Sequence, residues 1–87
     1  MSYRVIVKPS AERDIGRLPK PVQARVVERL AQIERDPRWP GSTKLVGTKQ
    51  TYRTRVGDWR IIFQIDDTAR VVFVTTVAHR GDVYRAL

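Results

Sequence analysis

At 87 residues the chain has the length of one domain, residues 1–87, whose single core is just large enough to hold it together. Its 41% hydrophobic and 30% charged residues exclude a disordered chain, and the lack of cysteine excludes disulfides and thiolate metal sites. Lysine and arginine number 17 against 9 acidic residues, a net charge of +8 that points to polyanionic partners and says little about fold.

A single histidine speaks against a transition-metal centre, and no cofactor is expected. No apolar run approaches the roughly 20 residues of a membrane span, and the N-terminus lacks a signal-peptide core. The expected location is the cytoplasm, with no membrane partner.

In chain order, the β-branched run at residues 3–8 predicts a first strand ended by Pro9. Ser10 is placed to cap a helix starting at Ala11, with Ala11, Ile15 and Leu18 on one stripe, and Pro19 stops it. A second helix is predicted from about Pro21 to the residue before Asp36, with Val22, Val26, Leu30 and Ile33 as its apolar stripe. Arg25, Glu28, Arg29, Glu34 and Arg35 read as partners of one another on a solvated surface. Residues 38–42 form a loop whose Trp39 has no assigned place.

Short strand 44–46 and a turn at 47–50 precede strands 52–56 and 59–65. Residues 66–69 turn into a long apolar strand, 71–78, expected at the centre of the sheet. His79 to Asp82 leave the sheet, and residues 83–87 form a tail or a helical turn. The order β-α-α-β-β-β-β predicts an α+β fold, with two helices from the N-terminal half on one face of a mainly antiparallel sheet.

Between the third and fourth predicted strands, Gly57-Asp58 is a two-residue hairpin signal. That loop sets Val56 opposite Trp59, Arg55 opposite Arg60, Thr54 opposite Ile61 and Arg53 opposite Ile62. Alternation puts Tyr52, Thr54, Val56, Trp59, Ile61 and Phe63 on the inward face and Arg53, Arg55 and Arg60 on the other. Like charges directly opposite each other in a sheet are destabilising, by roughly 0.2–1 kcal/mol. Their convergence predicts a face that binds phosphate, with Arg80 at the end of the long strand close enough to join. Taken alone, His79 reads as a turn residue and Tyr84 as an ordinary amphipathic residue near the chain end.

Across residues 45–84 the hairpin Tyr-Arg-Thr-Arg-Val-Gly-Asp-Trp-Arg-Ile-Ile-Phe, the Ile65-Asp66-Asp67 turn and the Val77-Ala78-His79-Arg80-Gly81-Asp82-Val83-Tyr84 ending resemble the RelE branch of the RelE/ParE toxin superfamily. The helical pair with its Leu18-Pro19 break extends the resemblance over nearly the whole chain. It implies the toxin of a type II toxin–antitoxin system, a ribosome-dependent endoribonuclease that cuts mRNA in the A site of the 70S ribosome. It also implies a RelB-like antitoxin as partner. The free toxin is expected to be monomeric, with higher assembly built through the antitoxin.

The resemblance places catalytic roles on Arg53, Arg55, Arg60, Arg80 and Tyr84, with His79 and Lys49 as auxiliary candidates. The best-studied branch has lysines where this chain has Arg53 and Arg55, and arginine cannot serve as a base. In the implied reaction the 2′-hydroxyl attacks the adjacent phosphate without metal. Tyr84 or His79 takes the proton, Arg53, Arg55 and Arg60 hold the phosphate, and Arg80 protonates or orients the leaving group. Two alternatives accompany this reading: a ParE-like toxin that poisons DNA gyrase, and an RNA-binding module without catalysis.

Overall fold

The computed structural model describes residues 2–81. Strand β1 (Arg4–Val7) leads through Lys8 into helix α1 (Pro9–Gly16), followed by helix α2 (Lys20–Arg35). Four strands complete the fold: β2 (Ser42–Lys44), β3 (Thr51–Val56), β4 (Trp59–Asp66) and β5 (Val71–His79). They form one sheet in the order β1-β5-β4-β3-β2, antiparallel except for the parallel pair β1–β5. The middle strand is therefore β4, and β5 lies beside it, paired on both edges.

Proline sets the helix boundaries. Pro9 occupies the first turn of α1, where a missing N–H costs nothing, so the helix starts earlier than Ala11 and its N-cap is Lys8. Ser10 is not a cap. It lies inside the first turn, and its hydroxyl donates instead to the Thr75 carbonyl at 2.8 Å. Pro19 ends the connection after α1 and caps α2, with its carbonyl accepting from Val22 and Gln23. The Gln23 side-chain amide returns to the Leu18 carbonyl at 3.1 Å, satisfying a group freed where the helices part.

Helix α1 also finishes the edge of β5. Pairing with β1 ends at Val7–Val74, and the register of β5 against β4 slips between Ile62 and Phe63, so that Thr75 is the extra residue of a bulge. Beyond β1, Ser10 takes the Thr75 carbonyl and Asp14 Oδ2 accepts the Val77 N–H at 3.0 Å. Two polar side chains of α1 thus replace the missing strand.

The core lies between the helices and one sheet face. Ala11, Leu18, Val26 and Ile33 pack on Val56, Ile61, Phe63, Ile65, Val72, Val74 and Val77, bordered by Val5, Val7, Val22, Leu30, Tyr52 and Trp59. Burying each large apolar side chain contributes about 1.5–3 kcal/mol. Tyr52 stacks on Phe63 with ring centroids 5.9 Å apart.

Two expectations change in the middle of the chain. Strand β2 runs over Ser42–Lys44 rather than 44–46, because Ser42, Thr43 and Lys44 pair with Thr54, Arg53 and Tyr52. The apolar Leu45-Val46 pair belongs to the following loop, where Thr48 holds the Leu45 carbonyl at 2.8 Å and Val46 is fully exposed. Secondly, His79 closes β5 rather than leaving the sheet, since it pairs with Trp59. The expected tail at residues 83–87, Tyr84 included, lies outside the described residues.

Candidate nucleic-acid interface

The hairpin that carries the arginines is built as its sequence requires. Gly57 has φ +60°, a conformation open to glycine, while among the described non-glycine residues only Arg70 has positive φ. Positive φ at the first loop position alone is the pattern of a II′ turn, whose twist matches that of the flanking strands. The observed register is Val56–Trp59, Arg55–Arg60, Thr54–Ile61 and Arg53–Ile62.

Arg53, Arg55 and Arg60 consequently share the face turned away from the helices. Thr43 is opposite Arg53, Ala78 opposite Arg60, and Thr76 opposite Ile62, so short side chains flank the arginines. Arg55 is exposed, whereas Arg53 and Arg60 are half-buried. Ile62 is buried on this same face. Arg80 is tied to the hairpin by its backbone, its N–H donating to the Asp58 carbonyl at 2.7 Å, which holds it beside the turn.

The auxiliary candidates lie elsewhere. His79 pairs with Trp59 on the helix-covered side and meets the indole edge-on, centroids 5.4 Å apart, so the sheet separates it from the arginine face. Lys49 is exposed in the loop between β2 and β3. Tyr84 lies outside the described residues.

Arg29 overturns its reading as a solvated helical charge. Its guanidinium donates to Thr54 Oγ1 at 3.0 Å and to the Arg55 carbonyl, and lies 4.5 Å over the Trp39 ring. Thr54 is fully buried, so its hydroxyl needs this partner. The signal was present in the spacing, because Arg29 is three residues after Val26 and four before Ile33, on the apolar stripe itself. Trp39, unplaced from sequence, covers Gly41, where a Cβ would lie 2.0 Å from ring atom Cη2.

A second cluster ties the loop after α2 to the β4–β5 turn. Arg38 grips Asp67 through both carboxylate oxygens at 2.9 and 2.8 Å, and Tyr3 donates its hydroxyl to Asp67 at 2.7 Å. The bond from Arg38, supported by that from Tyr3, holds the Asp67 carboxyl down at about 2. This is the one ion pair among the described residues, and it uses none of the arginines of the open face.

The profile of the "ParE toxin of type II toxin-antitoxin system, parDE" matches residues 5–84. The chain belongs to the RelE/ParE superfamily of type II toxin–antitoxin toxins. Toxin RelG of Mycobacterium tuberculosis (strain ATCC 25618 / H37Rv) is 34% identical over 86 residues, covering 98% of this chain and 99% of RelG. Among solved structures, the toxin–antitoxin complex RelBE2 of the same species superposes with TM-score 0.81 at 30% identity, over 92% of this chain and 100% of that one. The archaeal RelE–RelB complex of Pyrococcus horikoshii OT3 gives TM-score 0.82 at 29% identity, over 93% and 98%. No described helix of this RelE/ParE toxin is long and apolar enough to cross a membrane.

Proposed function

We propose that this toxin is a ribosome-dependent endoribonuclease that cleaves mRNA in the ribosomal A site. The observation that carries the reading is the hairpin register, which turns Arg53, Arg55 and Arg60 to one face. Planar guanidinium forks match phosphate oxygens two at a time, and several of them stabilise charge that builds up on phosphorus-bound oxygens. The 2′-hydroxyl attacks the neighbouring phosphorus and the bond to the 5′-oxygen breaks, leaving a cyclic phosphate and a 5′-hydroxyl.

Arginine does not take the proton at neutral pH, so the role of base falls to Tyr84. Arg80, held beside the turn, orients the departing 5′-oxygen, which takes a proton from solvent as it leaves. Positioning supplies most of the rate and no metal takes part. The toxin is neutralised by a RelB-like antitoxin, as the names of the RelBE2 and RelE–RelB complexes suggest. Its +8 charge favours an acidic, extended partner whose association slows as salt rises.

Induced expression with mapping of mRNA ends tests the reading. Cuts within translated codons are expected from the wild type and absent in Tyr84→Phe and Arg60→Ala; growth arrest without cuts overturns it. The match to the ParE profile favours a second reading, a gyrase poison that cuts nothing. Stabilised cleaved DNA in a gyrase supercoiling assay would establish that reading instead.

A further inference from the structure

Arg25 and Arg29 are one turn apart on α2, yet they are used in opposite ways. Arg29 is consumed by Thr54, the Arg55 carbonyl and Trp39, and so pins the middle of α2 to β3. One turn earlier, that anchoring brings Arg25 against the hairpin turn. A Cβ on Gly57 would be 3.3 Å from Arg25 Nη1, 3.6 Å from Nη2 and 3.8 Å from Cζ, so the guanidinium occupies the space the glycine leaves empty.

No partner within the described residues explains that position. Glu28, three residues on, and Asp58, in the turn itself, form no ion pair with Arg25, and it makes no hydrogen bond among the described residues. Its donors therefore face solvent beside a turn whose far side leads into the arginine face. Two residue steps along the strand, roughly 7 Å, lead from Arg55 to Gly57. That is of the order of the spacing between successive phosphates in an extended strand.

We propose that Arg25 carries the phosphate-binding face around the hairpin turn and holds a further backbone phosphate of a single-stranded RNA. The proposal rests on the endoribonuclease reading and adds a binding residue that touches no reacting atom. Arg29 positions it, and the Gly57 turn leaves room for it.

The test is the salt dependence of binding between free toxin and a single-stranded RNA carrying 2′-O-methyl riboses, which cannot be cleaved. Each phosphate contact contributes about 0.7 to the slope of log K against log salt for single strands. Arg25→Ala and Arg25→Gln are each expected to lower the slope by about that amount. The wild-type advantage then shrinks about 2.6-fold between 50 and 200 mM salt. Arg25→Lys, which keeps the charge, retains the wild-type slope. An unchanged slope in Arg25→Gln, while Arg53→Ala lowers it, overturns the proposal and leaves the reading of the arginine face standing. If neither variant changes the slope, that reading falls too.

Discussion

The two sides of the sheet treat arginine differently. On the helix-covered side Arg29 is spent on a buried hydroxyl, a backbone carbonyl and an indole face, while Arg38 at the sheet's edge is spent on Asp67 and Tyr52. On the open side Arg53 and Arg55 have no side-chain partner among the described residues, and Arg55 faces Arg60 directly. A guanidinium with protein acceptors holds structure together, whereas one aligned with like charges lowers stability and is retained where an anion offsets the repulsion.

The comparison is broken most directly at Arg29. Arg29→Ala leaves the Thr54 hydroxyl buried without a donor and strips Trp39 of its cation, so a loss of about 2–3 kcal/mol is expected in urea denaturation. A loss under about 0.5 kcal/mol would show that this arginine is no anchor. Gly41→Ala drives a methyl into the Trp39 ring and is expected to cost about 1–3 kcal/mol, visible as a lower melting temperature.

Arg55→Ala sharpens the contrast. Stability should stay within about 0.5 kcal/mol of wild type, or rise as repulsion from Arg60 is relieved, while mRNA cleavage falls about 10²-fold. Equal losses of stability and cleavage would put Arg55 with Arg29. The smallest effect concerns Asp67, whose folded carboxyl titrates near 2 against an ordinary 3.8. A depressed carboxyl stabilises fully above its unfolded value and loses that contribution as pH falls through about 2. Wild type should therefore resist urea better than Asp67→Asn at pH 5–7, with the gap closing between pH 4 and 2. A gap independent of pH would show that the Arg38 clamp does not act through this charge.

Local features of the fold were legible because their causes are local. The Gly57-Asp58 loop and strict alternation specify the β3–β4 register, and the stripe from Val22 to Ile33 specifies the buried face of α2. Leu45-Val46 misled because an apolar pair resembles strand, yet its backbone is satisfied within a loop tied by Thr48. Ser10 resembled a cap, but its real acceptor, Thr75, is 65 residues away. His79 pointed to proton transfer by residue type, and only its pairing with Trp59 shows it on the side away from the arginines.

Residue order alone was enough to specify the strong cationic field, the helix stripes and the three-arginine face, since charge counts and periodicities of two and 3.6 need no knowledge of distant contacts. Tertiary structure alone decided the parallel β1–β5 pair, the bulge at Thr75, the anchoring of Arg29 on Thr54, the place of Arg25 beside Gly57 and the seat of Trp39. Each of these depends on which acceptor, ring or turn long-range packing brings within reach. A guanidinium's chemistry is set by that neighbour and not by its place along the chain.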